Sequence, residues 1–199
     1  MDGYQNTGQA NGDRNGKGMP GGISDRVKVV SYSMTGNNDA IAIGIAAELA
    51  AEHIKITEPK PRTNGTIVLD MLFGRTPKVN QKLDNVADND LVVLVGPVWM
   101  GHVAAPLRAC LKQLRGRPVR YAFCSISGGA DGPNPKLAGD LTRRVGKAPA
   151  AVVDLHIADL LPPDPKPTRE DTSSYRLKDN DVKIITDTMV KALRETIAK

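Results

Sequence analysis

The chain has 199 residues, 40% of them hydrophobic and 4% aromatic, with a formal net charge of +5. That length supports one well-formed core and is short for two full domains. Composition excludes a membrane span, a zinc site built on Cys/His spacing and a secretory leader, since the N-terminus is Gly-, Asn- and Gln-rich rather than basic then apolar.

Residues 1–25 carry almost no bulky apolar side chain, so burial cannot offset their ordering entropy and disorder is expected. Residues 26–199 read as a single domain. Val27–Tyr32 is a predicted buried strand, followed by a small-residue turn and a predicted helix over Asn38–Glu52 with Ile41, Ile45 and Leu49 at spacing four. His53–Thr57 alternates polar and apolar residues, as an edge strand does. Lys60–Asn80 fits no regular period and is read as an irregular excursion near the site. Leu91–Val95 is continuously apolar, the pattern of a central strand covered on both faces.

Ala105–Leu114 follows as a helix with Leu107, Cys110, Leu111 and Leu114 on one face, and Val119–Ile126 as a strand. Leu137, Leu141 and Val145 mark a helix after Pro135, and Ala151–Ile157 is the last strand. Beyond the Pro-rich loop Leu161–Thr168, a final helix over Leu177–Ala198 places Val182, Ile185, Met189, Leu193 and Ile197 inward. Strands alternating with helices imply an α/β protein: a doubly wound, five-stranded parallel sheet of order 2-1-3-4-5 with helices on both faces. Ligands of such sheets sit beyond the carboxyl ends of the strands, where the strand order reverses.

Three loops gather at that rim. The first is Ser33, Met34, Thr35, Gly36, Asn37 and Asn38, a strand-to-helix turn whose hydroxyls and unpaired helix N–H groups suit a phosphate. The same residues also suit plain turn and capping roles. The second is Pro97, Val98, Trp99, Met100 and Gly101, carrying the chain's only tryptophan as a stacking platform. The third, Ser127, Gly128 and Gly129, leaves backbone open to close approach. The first strand lacks the G-x-G-x-x-G of dinucleotide sites, and the chain lacks the G-K-S/T of triphosphate sites. A phosphate cradle beside an aromatic platform suits a flavin mononucleotide, FMN.

Thr35-Gly36-Asn37, the Pro97-Val98-Trp99-x-Gly101 segment with Pro106-Leu107 beyond it, and Ser127-Gly128-Gly129 resemble the corresponding loops of the flavodoxin family. The resemblance covers roughly Val27 to Leu160. It implies a flavodoxin-like fold holding FMN noncovalently: Ser33 through Asn38 at the phosphate, Pro97 through Gly101 beside the isoalloxazine ring, Ser127 through Gly129 along its other edge. Asn38 stands where the family usually has Thr, and its amide is expected to donate to the phosphate instead. The chain is also basic and lacks a third-loop aromatic, whereas electron-carrier flavodoxins are acidic and carry a tyrosine there.

The basic residues, grouped at Arg115–Arg120 and Arg143–Lys147, lack interleaved aromatics. They are therefore read as a rim for an acidic partner or phosphorylated ligand, not a nucleic-acid surface. His102 is considered as a proton donor near the ring and more readily as a surface residue; His53 and His156 are read as structural. Cys110 and Cys124 are expected to be reduced, buried thiols of a cytoplasmic protein. No catalytic residue and no metal ligand is assigned. The leading function is electron transfer through bound FMN, with a redox partner protein. The alternatives are an NAD(P)H-dependent quinone or flavin reductase, and a flavin-free interaction module of the same fold.

Overall fold

In the computed structural model, which describes residues 26–58, 76–80, 83, 86 and 90–198, the apolar run Leu91–Val95 is the central strand of a five-stranded parallel sheet. All five of its residues are buried. Val92 and Leu94 point into one core with Leu107, Leu111, Phe123 and Leu141, and Val93 and Val95 into a second with Ile41, Ile45, Met189 and Leu193. A strand covered on both faces has no reason to alternate in polarity, which is why its sequence reads as an unbroken apolar run.

In chain order the elements are β1 (Val27–Ser31), α1 (Asn37–Glu48), β2 (Glu52–Lys55), β3 (Leu91–Val95), β4 (Val98–Trp99), β5 (His102–Val103), α2 (Ala105–Leu114), β6 (Arg120–Ser127), α3 (Leu137–Val145), β7 (Ala151–His156), a 3₁₀ turn (Ile157–Leu160), α4 (Arg169–Ser174) and α5 (Asp179–Ile197). The sheet order is β2-β1-β3-β6-β7, every pairing parallel, which is the expected 2-1-3-4-5 order once the β4–β5 hairpin is set aside. Among the described residues no helix is long and apolar enough to cross a membrane. The expected disorder of residues 1–25, and all of the Lys60–Asn80 excursion except residues 76–80, lie outside the described residues.

Two helices differ from expectation for identifiable reasons. Helix α1 stops at Glu48 rather than Glu52 because Ala50 adopts φ 49°. The Ala51 N–H then donates to the Ala46 carbonyl and the Ala50 N–H to Ala47, a Schellman closure with alanine where glycine is usual. Helix α4, absent from the sequence reading, is polar and six residues long, and a capping box between Thr168 and Asp171 starts it. The Thr-x-x-Asp spacing at Thr168–Asp171 was the available signal.

Several of the cations bond main-chain oxygens, while Arg115, Arg120 and Arg143 stay exposed. Arg117 donates to the Leu83 and Val86 carbonyls, Lys147 to Arg117 and Val119, Arg120 to Thr196 and Arg108 to Val103. These contacts tie part of the surplus charge to main-chain oxygens, and the exposed cations of both groups remain at the surface.

Candidate functional site

Carboxyl ends of β1, β3 and β6 carry three loops, and these enclose a cleft of about 680 Å³. Every residue singled out in the three loops lines it except Gly36: Ser33, Met34, Thr35, Asn37 and Asn38 from the first, Pro97 to Gly101 from the second, Ser127 to Gly129 from the third. Asp131, Asn134, Lys136, Arg169, Thr172 and Ser173 form a further wall that the loop motifs did not reveal. Arg169 reaches Asp131 at 2.8 Å across this rim, both side chains largely exposed.

Gly36 is the N-cap of α1 with φ 92°, and no side chain caps the helix. Its own N–H donates to Ser33 Oγ at 3.0 Å, so the Ser33 hydroxyl proton remains to be donated elsewhere. The next three side chains all turn away to tie the helix to the rest of the protein. Asn37 Nδ2 donates to the Tyr175 carbonyl at 3.0 Å and its Oδ1 accepts from Leu177 N–H at 3.2 Å. Asn38 Nδ2 donates to the Ile126 carbonyl at 2.9 Å and its Oδ1 accepts from Ile126 N–H at 3.0 Å. Asp39 Oδ1 accepts from Ser31 Oγ at 2.8 Å, and its Oδ2 meets Lys55 Nζ at 2.7 Å. The Asn38 amide, expected to donate to a phosphate, here grips the peptide of Ile126, at the end of β6, in a doubly bonded pair. What the first loop presents to the cleft is the uncapped start of α1 with the Ser33 and Thr35 hydroxyls.

The second loop is a tight hairpin. Trp99 pairs with His102 across a two-residue turn in which Met100 (φ 49°) and Gly101 (φ 78°) are both left-handed. Positive φ at both central residues matches the natural twist of a hairpin, at a cost for Met100 that glycine would not incur. Met100 is 84% exposed at the cleft mouth. Trp99 is half-buried against the core and meets Tyr32 edge-to-face, 6.2 Å between centroids and 83° between planes. It thus packs the core and lines the cleft at once.

His102 does not line the cleft. Its Nδ1 lies 3.3 Å from Asp140 Oδ1, which removes the basis for a proton-donor role at the ring. Burial alone would raise the Asp140 carboxyl, but hydrogen bonds from Arg144 at 2.9 Å and Arg143 at 2.6 Å outweigh it and hold the group at about 2. The resulting carboxylate also lies within 3.4 Å of the Val103 N–H, fixing the hairpin's second strand to α3.

In the third loop, glycine answers to crowding. A Cβ on Gly129 would sit 2.3 Å from His156 Cβ, and one on Gly128 would sit 3.0 Å from Thr172 Oγ1. The loop is held flat against β7 and α4 by these contacts. Asn134 Nδ2 donates to Asp154 Oδ2 at 2.8 Å, anchoring the far wall to the same strand. Ser127 lines the cleft, while its Oγ is shielded from solvent and has no hydrogen-bond partner among the described residues.

No protein-family model matches the chain, and no curated protein matches its sequence. Solved structures do match. A flavoprotein from Lactobacillus acidophilus, crystallised with FMN, superposes with a TM-score of 0.54 at 23% identity, over 65% of this chain and 92% of that one. A protein from Bacteroides eggerthii provisionally named a flavoprotein gives 0.60 at 15% identity, over 84% and 98%. One from Bacteroides uniformis gives 0.55 at 16%, over 73% and 94%. With the strand order already on the page, these decide the architecture. The fold is flavodoxin-like. In this fold the cleft lies at the switch between β1 and β3, the position where doubly wound sheets take their ligands.

The two thiols lie elsewhere in the flavodoxin-like fold. Burial pushes both Cys110 and Cys124 up to about 12, leaving neither as a nucleophile near neutral pH. Among the described residues no cluster of His, Cys, Asp or Glu is arranged to hold a metal ion.

Proposed function

We propose that this protein binds FMN noncovalently in the cleft and serves as a redox protein transferring electrons through it. The observation that carries this is the convergence, in one cleft at the switch point, of an uncapped helix start, two hydroxyl-bearing residues beside it and an aromatic wall. The residues present fit the group. Main-chain N–H groups at the start of α1, with the Ser33 and Thr35 hydroxyls, would hold the phosphate, as helix N-termini hold anions. Trp99, Pro97 and Met100 would flank the isoalloxazine. The similarity to an FMN complex from Lactobacillus acidophilus supports the same reading.

When bound, FMN supplies the one- and two-electron chemistry that no side chain of this cleft offers. The chain's own part is to bind, orient and shield. Trp99 and the half-buried Pro97 and Val98 would keep water from the ring, making added negative charge there costlier. The left-handed Met100–Gly101 turn would present main-chain groups to the ring edge, and Gly101 permits its peptide to reorient cheaply.

A second reading, an NAD(P)H-dependent reductase, is favoured by the additional wall of Asp131, Asn134, Lys136, Arg169 and Ser173, which could seat a second ligand beside the flavin. Rapid anaerobic mixing of the FMN-loaded protein with NADPH separates the two: fast bleaching supports the reductase, and bleaching over many minutes supports the carrier. The first experiment is simpler. The purified protein should show a flavin absorption spectrum, or take up FMN stoichiometrically on titration; a colourless protein that takes up none overturns both and leaves an interaction module.

A further inference from the structure

Beneath the first loop lies a polar network that the FMN reading does not use. Ser31 Oγ donates to Asp39 Oδ1 at 2.8 Å and lies 2.9 Å from His53 Nε2. A serine has one hydroxyl proton, and here it is committed to Asp39, so His53 Nε2 must be the donor to Ser31. That fixes the histidine tautomer. On the opposite side of the carboxylate, Lys55 Nζ sits 2.7 Å from Asp39 Oδ2, with the Lys55 side chain 58% exposed and that of Asp39 12%. The network therefore spans three elements: Ser31 ends β1, His53 and Lys55 belong to β2, and Asp39 belongs to the first turn of α1. Ser31 and Asp39 bracket Ser33–Gly36, so their hydrogen bond closes the base of the loop.

This arrangement has an electrostatic consequence. Asp39 places a largely buried negative charge in the first turn of the helix whose start would receive the phosphate. A carboxylate there competes with an incoming anion for the positive end of the helix dipole and repels it through a medium that screens poorly. Lys55 is the group that cancels it. Asn37 and Asn38, whose amides are engaged with Tyr175, Leu177 and Ile126, supply no compensating charge.

We propose that Lys55 is a positioning and charge-compensating residue for the phosphate end of the cleft, making the site selective for a phosphorylated flavin over the same flavin without phosphate. The proposal rests on the FMN reading above. It assigns Lys55 no contact with the flavin: the lysine acts through Asp39.

The test compares FMN with riboflavin, which shares the ring and lacks the phosphate, by fluorescence titration of the intact protein and three variants. Lys55→Gln should weaken FMN binding by about tenfold while changing riboflavin binding less than twofold, the size expected for one uncompensated charge near the site. Lys55→Arg, which keeps the charge, should bind FMN like the native protein. Lys55→Gln combined with Asp39→Asn should recover FMN binding, because the carboxylate that Lys55 cancels is then gone while an acceptor for Ser31 remains. Equal loss of FMN and riboflavin in Lys55→Gln marks a general structural role and overturns the inference, as does failure of the double variant to recover. Equal affinity of the native protein for FMN and riboflavin overturns it too. A native protein that binds neither flavin fails earlier, at the FMN reading itself, and takes this inference with it.

Discussion

Gly36 and Gly129 both adopt positive φ, 92° and 74°, in loops that face the same cleft, yet they are glycine for different reasons. Around Gly36 a Cβ would meet nothing within 4 Å; at Gly129 it would collide with His156 at 2.3 Å. The first loop needs a conformation and keeps open space above it. The third loop needs contact and uses its glycines to lie against β7 and α4. The same residue type in the same rim thus marks an open turn in one case and a packed wall in the other.

Substitutions can break that contrast. The largest effect is expected from Gly129→Ala, where steric conflict with His156 adds to the conformational penalty: a loss of about 3 kcal/mol or more, measured by denaturant unfolding. Next comes Asp140→Asn, which loosens the hairpin from α3 and should cost roughly 2 kcal/mol near neutral pH. Its pH signature has a definite sign. The folded carboxyl titrates at about 2 against an ordinary 3.8, so its contribution is complete above that ordinary value and disappears as pH falls through about 2. Unfolding midpoints of the native protein and Asp140→Asn should therefore converge across that window.

Asn38→Thr sharpens the comparison from the ligand side. It installs the residue usual in flavodoxins but severs both hydrogen bonds to Ile126, so we expect a loss of about 1–2 kcal/mol in stability and weaker FMN binding, not stronger. Tighter FMN binding by this variant would show that Asn38 is a substitute phosphate ligand after all. Gly36→Ala should cost about 1 kcal/mol, the conformational penalty alone. The smallest effect has the opposite sign: Ala50→Gly at the left-handed end of α1 should raise stability by up to about 1 kcal/mol in thermal unfolding.

Much of this was legible in advance because burial writes itself into spacing. The unbroken run Leu91–Val95 marked a doubly covered strand, and Ile185, Met189 and Leu193 marked the buried stripe of α5. The loops at the strand ends could be found because strand order dictates where they meet. What spacing does not carry is the direction of a polar side chain. Asn37 and Asn38 look like donors waiting for a phosphate, yet each is committed to a different element, the segment before α5 and the end of β6, and the Asp39 carboxylate is tied to the β1–β2 pair. His102 similarly follows a cleft loop in sequence while turning to Asp140. Helix α4 escaped because its six polar residues have no apolar stripe, only a capping box. The left-handed Ala50 escaped because the usual marker of that position is glycine.

The central claim is that the cleft takes FMN, and the chain carries its own reporter: Trp99, its only tryptophan, lines that cleft. Titrating the protein with FMN while following tryptophan emission tests the claim directly. The account predicts saturable quenching at one FMN per chain. Emission that is unchanged beyond the optical absorption of the added flavin would contradict it.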